Sequence, residues 1–478
     1  MKVERIQMHV IARFQKASPA AKASIALLLS NLILKGLSMI SGPIFTRIMS
    51  TDQYGMVSNF TTWQGLLGTI ITLNLAAGVF NNGMLEFKED RDSFQASLVL
   101  ISTTTAFIFL GGYFLFPNQF CEFLDIDNSL CFLMFVYFLF TPVYGYWSAR
   151  QRYEFRYKML FLLSIGTAVI SLIASVIAVL MAPAARAATA KIVASELPNI
   201  ILGAFFYIYI VYKSKLKINF RYISYALKFN LPLIPHYLSM YVLASSDRVM
   251  ITKLVSNTAT AIYSVSYTVG MVINIFWQSI DASIAPWIYE RMSTNDKEDI
   301  RRRTFQILAI IMVACVLSCL FAPEIIWILA PKEYYSGIYV IPSIAASSFF
   351  IAAYSIYMRI ELYYKKTVFA MTATTLAAML NLILNYFFIE KYGFIAAGYT
   401  TLVCYLFLTL FHYLNVRKQG FDDYIDNKRI LLLSVLVVLC SFGINFLYGI
   451  PALRWITIII LLIVCFVKRN IIFQAIKK

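Results

Sequence analysis

The sequence predicts an all-α integral membrane protein of about fourteen transmembrane helices. Three observations predict it. Of 478 residues, 60% are hydrophobic and only 14% charged, against about 45–50% and about 25% in soluble domains. Mean hydropathy is +0.72. The 41 Lys and Arg against 24 Asp and Glu give a formal charge of +17, which in a soluble protein would suggest nucleic-acid binding, but here these cations segregate by loop. A soluble enzyme, a disordered tail and a secreted disulfide scaffold are excluded. The seven cysteines are odd in number and lie mostly in apolar runs, as small buried hydrophobes do.

A span needs about 20 mainly apolar residues. Fourteen windows qualify: 23–45, 56–80, 94–116, 130–147, 159–181, 192–212, 229–251, 260–283, 304–322, 336–358, 367–389, 395–414, 430–448 and 452–467. The longest connection is expected around 284–303, too short for a separate catalytic domain. Counting alternate loops puts 32 of the 41 cations on the side of the N-terminus and 8 on the other, with Lys35 inside the first span. The cation-rich side is the cytoplasmic one, so both termini are expected there. The first apolar run is too long for a cleavable signal. Before it, Val3, Ile6, Val10 and Phe14 alternate with cations, either as an interfacial helix or as a plain basic flank.

Ionisable groups within spans mark pathways or binding sites by default. Asn31, Lys35, Ser38 and Gly42 share one face of the first span, with Lys35 facing either a cavity or a buried partner. In the second span, Thr62, Gly65, Thr69 and Thr72 suggest helix packing. The seventh begins with Pro232 and Pro235, which interrupt a helix. It continues to Asp247-Arg248, either a local charge pair or an anion-binding arginine. The eighth places Tyr263, Tyr267, Gly270, Asn274, Gln278 and Asp281 at helical spacing. Ring faces with amide and carboxylate groups suit a sugar. Asn381 and Asn385 suggest interhelical hydrogen bonds. Arg47 and Arg359 end spans, as snorkelling anchors do. Glu196 has no evident partner, and His236 and His412 have no evident acid partner. No nucleophile–base pair stands out.

Arg47 with Tyr54-Gly55, Asn230-Leu231-Pro232-Leu233-Ile234-Pro235, Ser246-Asp247-Arg248, Ile262-Tyr263-Ser264-Val265-Ser266-Tyr267, and Asn381-Leu382-Ile383-Leu384-Asn385-Tyr386 followed by Tyr392-Gly393 resemble the polysaccharide (O-antigen, Wzx-type) flippases. These belong to the multidrug/oligosaccharidyl-lipid/polysaccharide exporter superfamily. The resemblance runs from about residue 20 to 415, and Ala396 stands where the family commonly has glycine. Arg47-Ile48-Met49 is echoed by Arg248-Val249-Met250 six spans later, as parallel repeats would require. The resemblance implies a V-shaped bundle of two six-helix lobes, residues 1–220 (spans 1–6) and 221–420 (spans 7–12), followed by two additional spans in 421–478. It implies a transporter rather than an enzyme: a flippase that moves an undecaprenyl-diphosphate-linked oligosaccharide across the bacterial inner membrane by alternating access. Lys35, Arg47 and Arg248 would engage the diphosphate or acidic sugars. No cofactor is implied. Partners would be the lipid-linked oligosaccharide, membrane lipids, and the polymerase and chain-length machinery. The rival readings are a multidrug or solute exporter of the same superfamily, and a polytopic polymerase or acyltransferase.

Overall fold

The computed structural model describes residues 19–215 and 217–468. The basic stretch around Val3 to Phe14 lies outside the described residues. The described chain is helical throughout and falls into two compact units. Among the described residues, unit 1 comprises those of 19–53 and 63–237, and unit 2 those of 54–62 and 238–468.

The helices of unit 1 are α1 (Pro19–Ile48), α2 (Thr51–Ile71, whose residues 54–62 belong to unit 2), α3 (Phe80–Glu86), α4 (Arg91–Leu115), α5 (Pro117–Leu124), α6 (Asn128–Tyr153), α7 (Tyr157–Met181), α8 (Ala187–Ser214) and α9 (Phe220–Asn230). Those of unit 2 are α10 (Ile234–Leu254, whose residues 234–237 belong to unit 1), α11 (Asn257–Gly270), α12 (Val272–Ser293), α13 (Lys297–Leu320), α14 (Ala322–Leu329), α15 (Ile341–Tyr363), α16 (Thr367–Tyr392), α17 (Phe394–Lys418), α18 (Asn427–Leu447) and α19 (Pro451–Val467). Ten helices among the described residues are long and apolar enough to cross a membrane, and α19 is a shorter apolar helix. The remaining windows of the expected fourteen are helical too, as α1, α2 and α10.

Two windows end differently from expectation. The second span is a helix only to Ile71. It unwinds through Thr72–Val79, with positive φ at Leu73 (50°) and Asn74 (48°), and resumes as α3. An unwound backbone at membrane depth must find partners within the protein. Asn230 supplies two: its Oδ1 accepts from the Val79 N–H (2.9 Å) and its Nδ2 donates to the Leu73 carbonyl (2.6 Å). Thr105 of α4 donates to the Ile71 carbonyl (2.5 Å). Asn230 is itself fully buried, at the point where Pro232 turns the chain through a 3-10 segment, Leu231–Leu233, into α10. The expected long connection at 284–303 is mostly helix. Ile284, Ile288 and Met292 recur at four-residue spacing and are buried, so α12 runs on to Ser293.

The centre of unit 2 is α15, almost wholly buried. Its small residues, among them Ser343, Ala345, Ala346, Ser347 and Ser348, let neighbouring helices approach closely. Its hydroxyls bond back to the helix, Ser347 to the Ser343 carbonyl at 2.9 Å. Gly270 abuts Ile344 and Ala345, and Gly55 abuts the Asn257 backbone, so a Cβ at either site would collide. The last helix, α19, is fastened through Arg454, whereas α18 packs Ile430, Leu433, Val437 and Ile444 into the core. Arg454 donates to both carboxylate oxygens of Glu324 on α14 (2.7 and 2.5 Å) and to the Leu320 carbonyl (2.8 Å).

Candidate functional site

A carboxylate in an apolar bundle needs donors around it. Asp247 of α10, fully buried, receives three: the Tyr263 hydroxyl (2.5 Å), the Thr401 hydroxyl (2.9 Å) and the Asn385 amide (2.6 Å). Asn385 also donates to Asn381 (3.0 Å) and accepts from Thr400. Asn381 accepts from Ser246 (3.0 Å). The two asparagines of the eleventh span thus tie α16 to α10 and α17, as their spacing suggested. Of the two readings open for Asp247-Arg248, a local charge pair or an anion-binding arginine, the contacts show electrostatic interaction, but among the described residues no direct ion pair joins them. Arg248, half-buried, lies 4.4 Å from the centre of the Tyr267 ring and donates to its own helix at Ala244 (3.3 Å). The neutral cage takes up the carboxylate, and the guanidinium is left for a cation–π contact.

The stripe on the eighth span divides in two. Tyr263 and Tyr267, 5.8 Å apart between ring centres, are buried in the packed interior, so neither ring face is open to a sugar in this conformation. Past the kink at Met271, exposure rises: Asn274 is half-buried, Gln278 is exposed and Asp281 is half-buried. Asn274 Oδ1 is buried without a hydrogen-bond partner. Asp281 pairs with Arg359 of α15, its Oδ1 accepting from Nε at 3.3 Å. Arg359 is therefore an ion-pair partner rather than a free anchor at the end of its span.

Lys35 and Arg47 lie on α1 in unit 1. Lys35 is half-buried and Arg47 exposed, with Nη1 donating to the Pro43 carbonyl at 2.9 Å. The Arg47–Arg248 echo is inexact. Arg47 lies in the last turn of its helix, whereas Arg248 lies six residues before the end of α10. Glu196, which showed no partner in the sequence, interacts electrostatically with Lys191 on the same helix. The Lys191 ammonium sits 4.3 Å from the centre of the Phe45 ring of α1.

One cluster was missed. His412 of α17, fully buried, has an acid partner: its Nδ1 is 2.8 Å from Glu361 Oε2, and Asn415 donates to Glu361 Oε1 at 2.6 Å. Tyr354 stacks on the imidazole at 5.7 Å. In the sequence, Glu361 lies beyond the expected end of span ten and 51 residues from His412, so only the continuation of α15 to Tyr363 brings the two together.

Both units are built of helices with charged groups inside apolar stretches, the architecture of a polytopic all-α membrane protein. The fold is similar to that of the lipid II flippase MurJ in an inward closed conformation: TM-score 0.68, 15% identity, covering 95% of this chain and 100% of that one. It is also similar to an inward-facing multidrug resistance MATE family transporter of the MOP superfamily, with TM-score 0.61, 10% identity, and 83% and 98% covered. The chain matches the family described as polysaccharide biosynthesis protein over residues 20–292, more than half its length, and belongs to that family. It is 26% identical over 152 residues to a protein of the Lsg locus of Haemophilus influenzae. That match covers 30% of this chain and spans 37% of the relative's length.

Proposed function

We propose that the protein translocates an undecaprenyl-diphosphate-linked oligosaccharide across the bacterial inner membrane by alternating access, for O-antigen, capsule or exopolysaccharide synthesis. Family membership carries this reading, and the likeness to a lipid II flippase fold supports it. Both termini are assigned to the cytoplasm from the loop charges. The lobes are taken as residues 1–220 and 221–420, with 421–478 as the added pair of spans. Polymerase and chain-length proteins are the expected partners.

A sugar-bearing diphosphate cannot cross about 30 Å of hydrocarbon bare. Lys35, Arg47 and Arg248 are the cations assigned to it. Arginine clamps phosphate oxygens in a fork, and lysine acts as a point charge. Asn274, Gln278 and Asp281, on the more open half of the eighth-span stripe, are assigned to sugar hydroxyls, with Tyr263 and Tyr267 buttressing Arg248. Moving roughly two negative charges outward gains about 4.6 kcal/mol per 100 mV of inside-negative potential. The test is reconstitution in liposomes, measuring whether a lipid-linked oligosaccharide becomes accessible on the opposite leaflet. Lys35→Ala and Arg248→Gln are expected to reduce flipping at least tenfold at unchanged membrane abundance, and normal flipping by both would remove the cation assignment.

A further inference from the structure

The transport reading leaves unused a cavity of about 700 Å³ in unit 1, lined by Ala76, Asn81, Ala149, Arg152, Tyr153 and Phe155. It lies at the cation-rich C-terminal end of α6, the side assigned to the cytoplasm, and against the start of α3. Its volume is in the range of ligand sites, about 300–1,000 Å³.

Three arginines cluster at this end of α6, and their charges have different fates. Arg150 is bound by Asp92 and by Glu154 (2.9 Å). Arg156 reaches Glu154 at 3.3 Å. Arg152, between them, donates to the Ser148 hydroxyl at 3.0 Å, and among the described residues no carboxylate pairs with it. The one uncompensated guanidinium of the three is the one that lines the cavity. Such a group is a planar fork of donors suited to phosphate oxygens.

The walls are held in shape. Tyr153 is covered by the Arg91 guanidinium, 5.1 Å from its ring centre. Ala76 belongs to the unwound segment that Asn230 locks from behind. Of the lining residues, Phe155 has a left-handed φ of 56°. Bulky residues adopt that region at a cost of order 1 kcal/mol or more, and such strain collects at ligand sites. Asn81, which also lines the cavity, carries an amide donor and a carbonyl acceptor, the combination a sugar hydroxyl needs.

We propose that this cavity is a loading site for the phosphate-bearing headgroup of the lipid substrate, with Arg152 clamping phosphate oxygens and Asn81 taking a neighbouring sugar hydroxyl. It rests on the transport reading above and places the substrate's first contact on unit 1, apart from the residues assigned to translocation. Titration calorimetry on the purified full chain in detergent, with farnesyl diphosphate and separately with inorganic diphosphate, tests it. The wild type is expected to bind farnesyl diphosphate, and Arg152→Gln to weaken that binding about tenfold or more, the value of one charged hydrogen bond. Arg152→Lys keeps the topological charge without the fork and is expected to fall between them. It decides the matter if Arg152→Gln does not accumulate. Binding of inorganic diphosphate with the same dependence on Arg152 makes the phosphate sufficient, whereas binding of the farnesyl compound alone makes the lipid part of the ligand. Equal affinity in wild type and variants overturns the site. A wild type that flips lipid-linked oligosaccharide yet binds neither probe overturns the site and leaves the transport reading standing. Binding without flipping does the reverse.

Discussion

The second and eighth spans are both interrupted, but in different ways. In unit 1 the helix unwinds over eight residues, Thr72–Val79, and the freed backbone is satisfied by a distant side chain, Asn230. In unit 2 the interruption is one residue wide. Met271 still bonds back to the Tyr267 carbonyl (2.9 Å), and Asn274 N–H takes the Met271 carbonyl at 3.0 Å. Gly270 presses directly on α15, and the Ser348 hydroxyl reaches its carbonyl at 3.4 Å. An open break needs a polar clamp, because backbone groups without water must pair inside the protein. A narrow kink needs only the absence of a side chain where two backbones meet.

Substitutions should separate these two devices. Asn230→Ala removes both clamping bonds, leaving the Val79 N–H and Leu73 carbonyl buried and unpaired. The expected loss is about 4 kcal/mol, at about 1–3 kcal/mol for each buried orphan, read as a lower thermal midpoint in detergent. Asn230→Asp keeps the acceptor but sets a carboxylate oxygen against the Leu73 carbonyl in place of a donor, so it should not recover the loss. A midpoint unchanged in Asn230→Ala would mean that the unwound segment is held some other way. Gly270→Val should cost somewhat less, about 3 kcal/mol from overpacking, since its Cβ would come within 2.7 Å of Ile344 Cγ2 and 2.8 Å of its Cβ, atoms of a buried β-branched side chain with little room to move. Ser348→Ala should be mildest, about 0.5–1 kcal/mol, because the Gly270 carbonyl loses only a long bond. A Ser348→Ala loss as large as that of Asn230→Ala would erase the distinction between the two breaks.

Much of this was legible in the sequence, since composition and loop charge reveal a bundle of apolar spans. Asn230 and the prolines at 232 and 235 stood out as a break at the head of span seven. That Asn230 serves span two instead of its own span was not legible, because the residues it binds lie 151 and 157 positions away. The same limit hid Glu361 from His412 and Asp281 from Arg359. Local period shows which face a residue occupies, whereas partners across a bundle depend on which helices become neighbours. Tyr263 shows the other limit. An aromatic at helical spacing beside amides looks the same whether it faces a lumen or donates to a buried carboxylate, and the choice was made by Asp247, sixteen residues earlier.

The Arg454 clamp also sets an order of assembly. Its partner Glu324 is synthesised 130 residues earlier. During translation, α14 is therefore in place well before the cation that neutralises its carboxylate leaves the ribosome. A chain interrupted anywhere in that interval carries an uncompensated acid on an otherwise apolar helix.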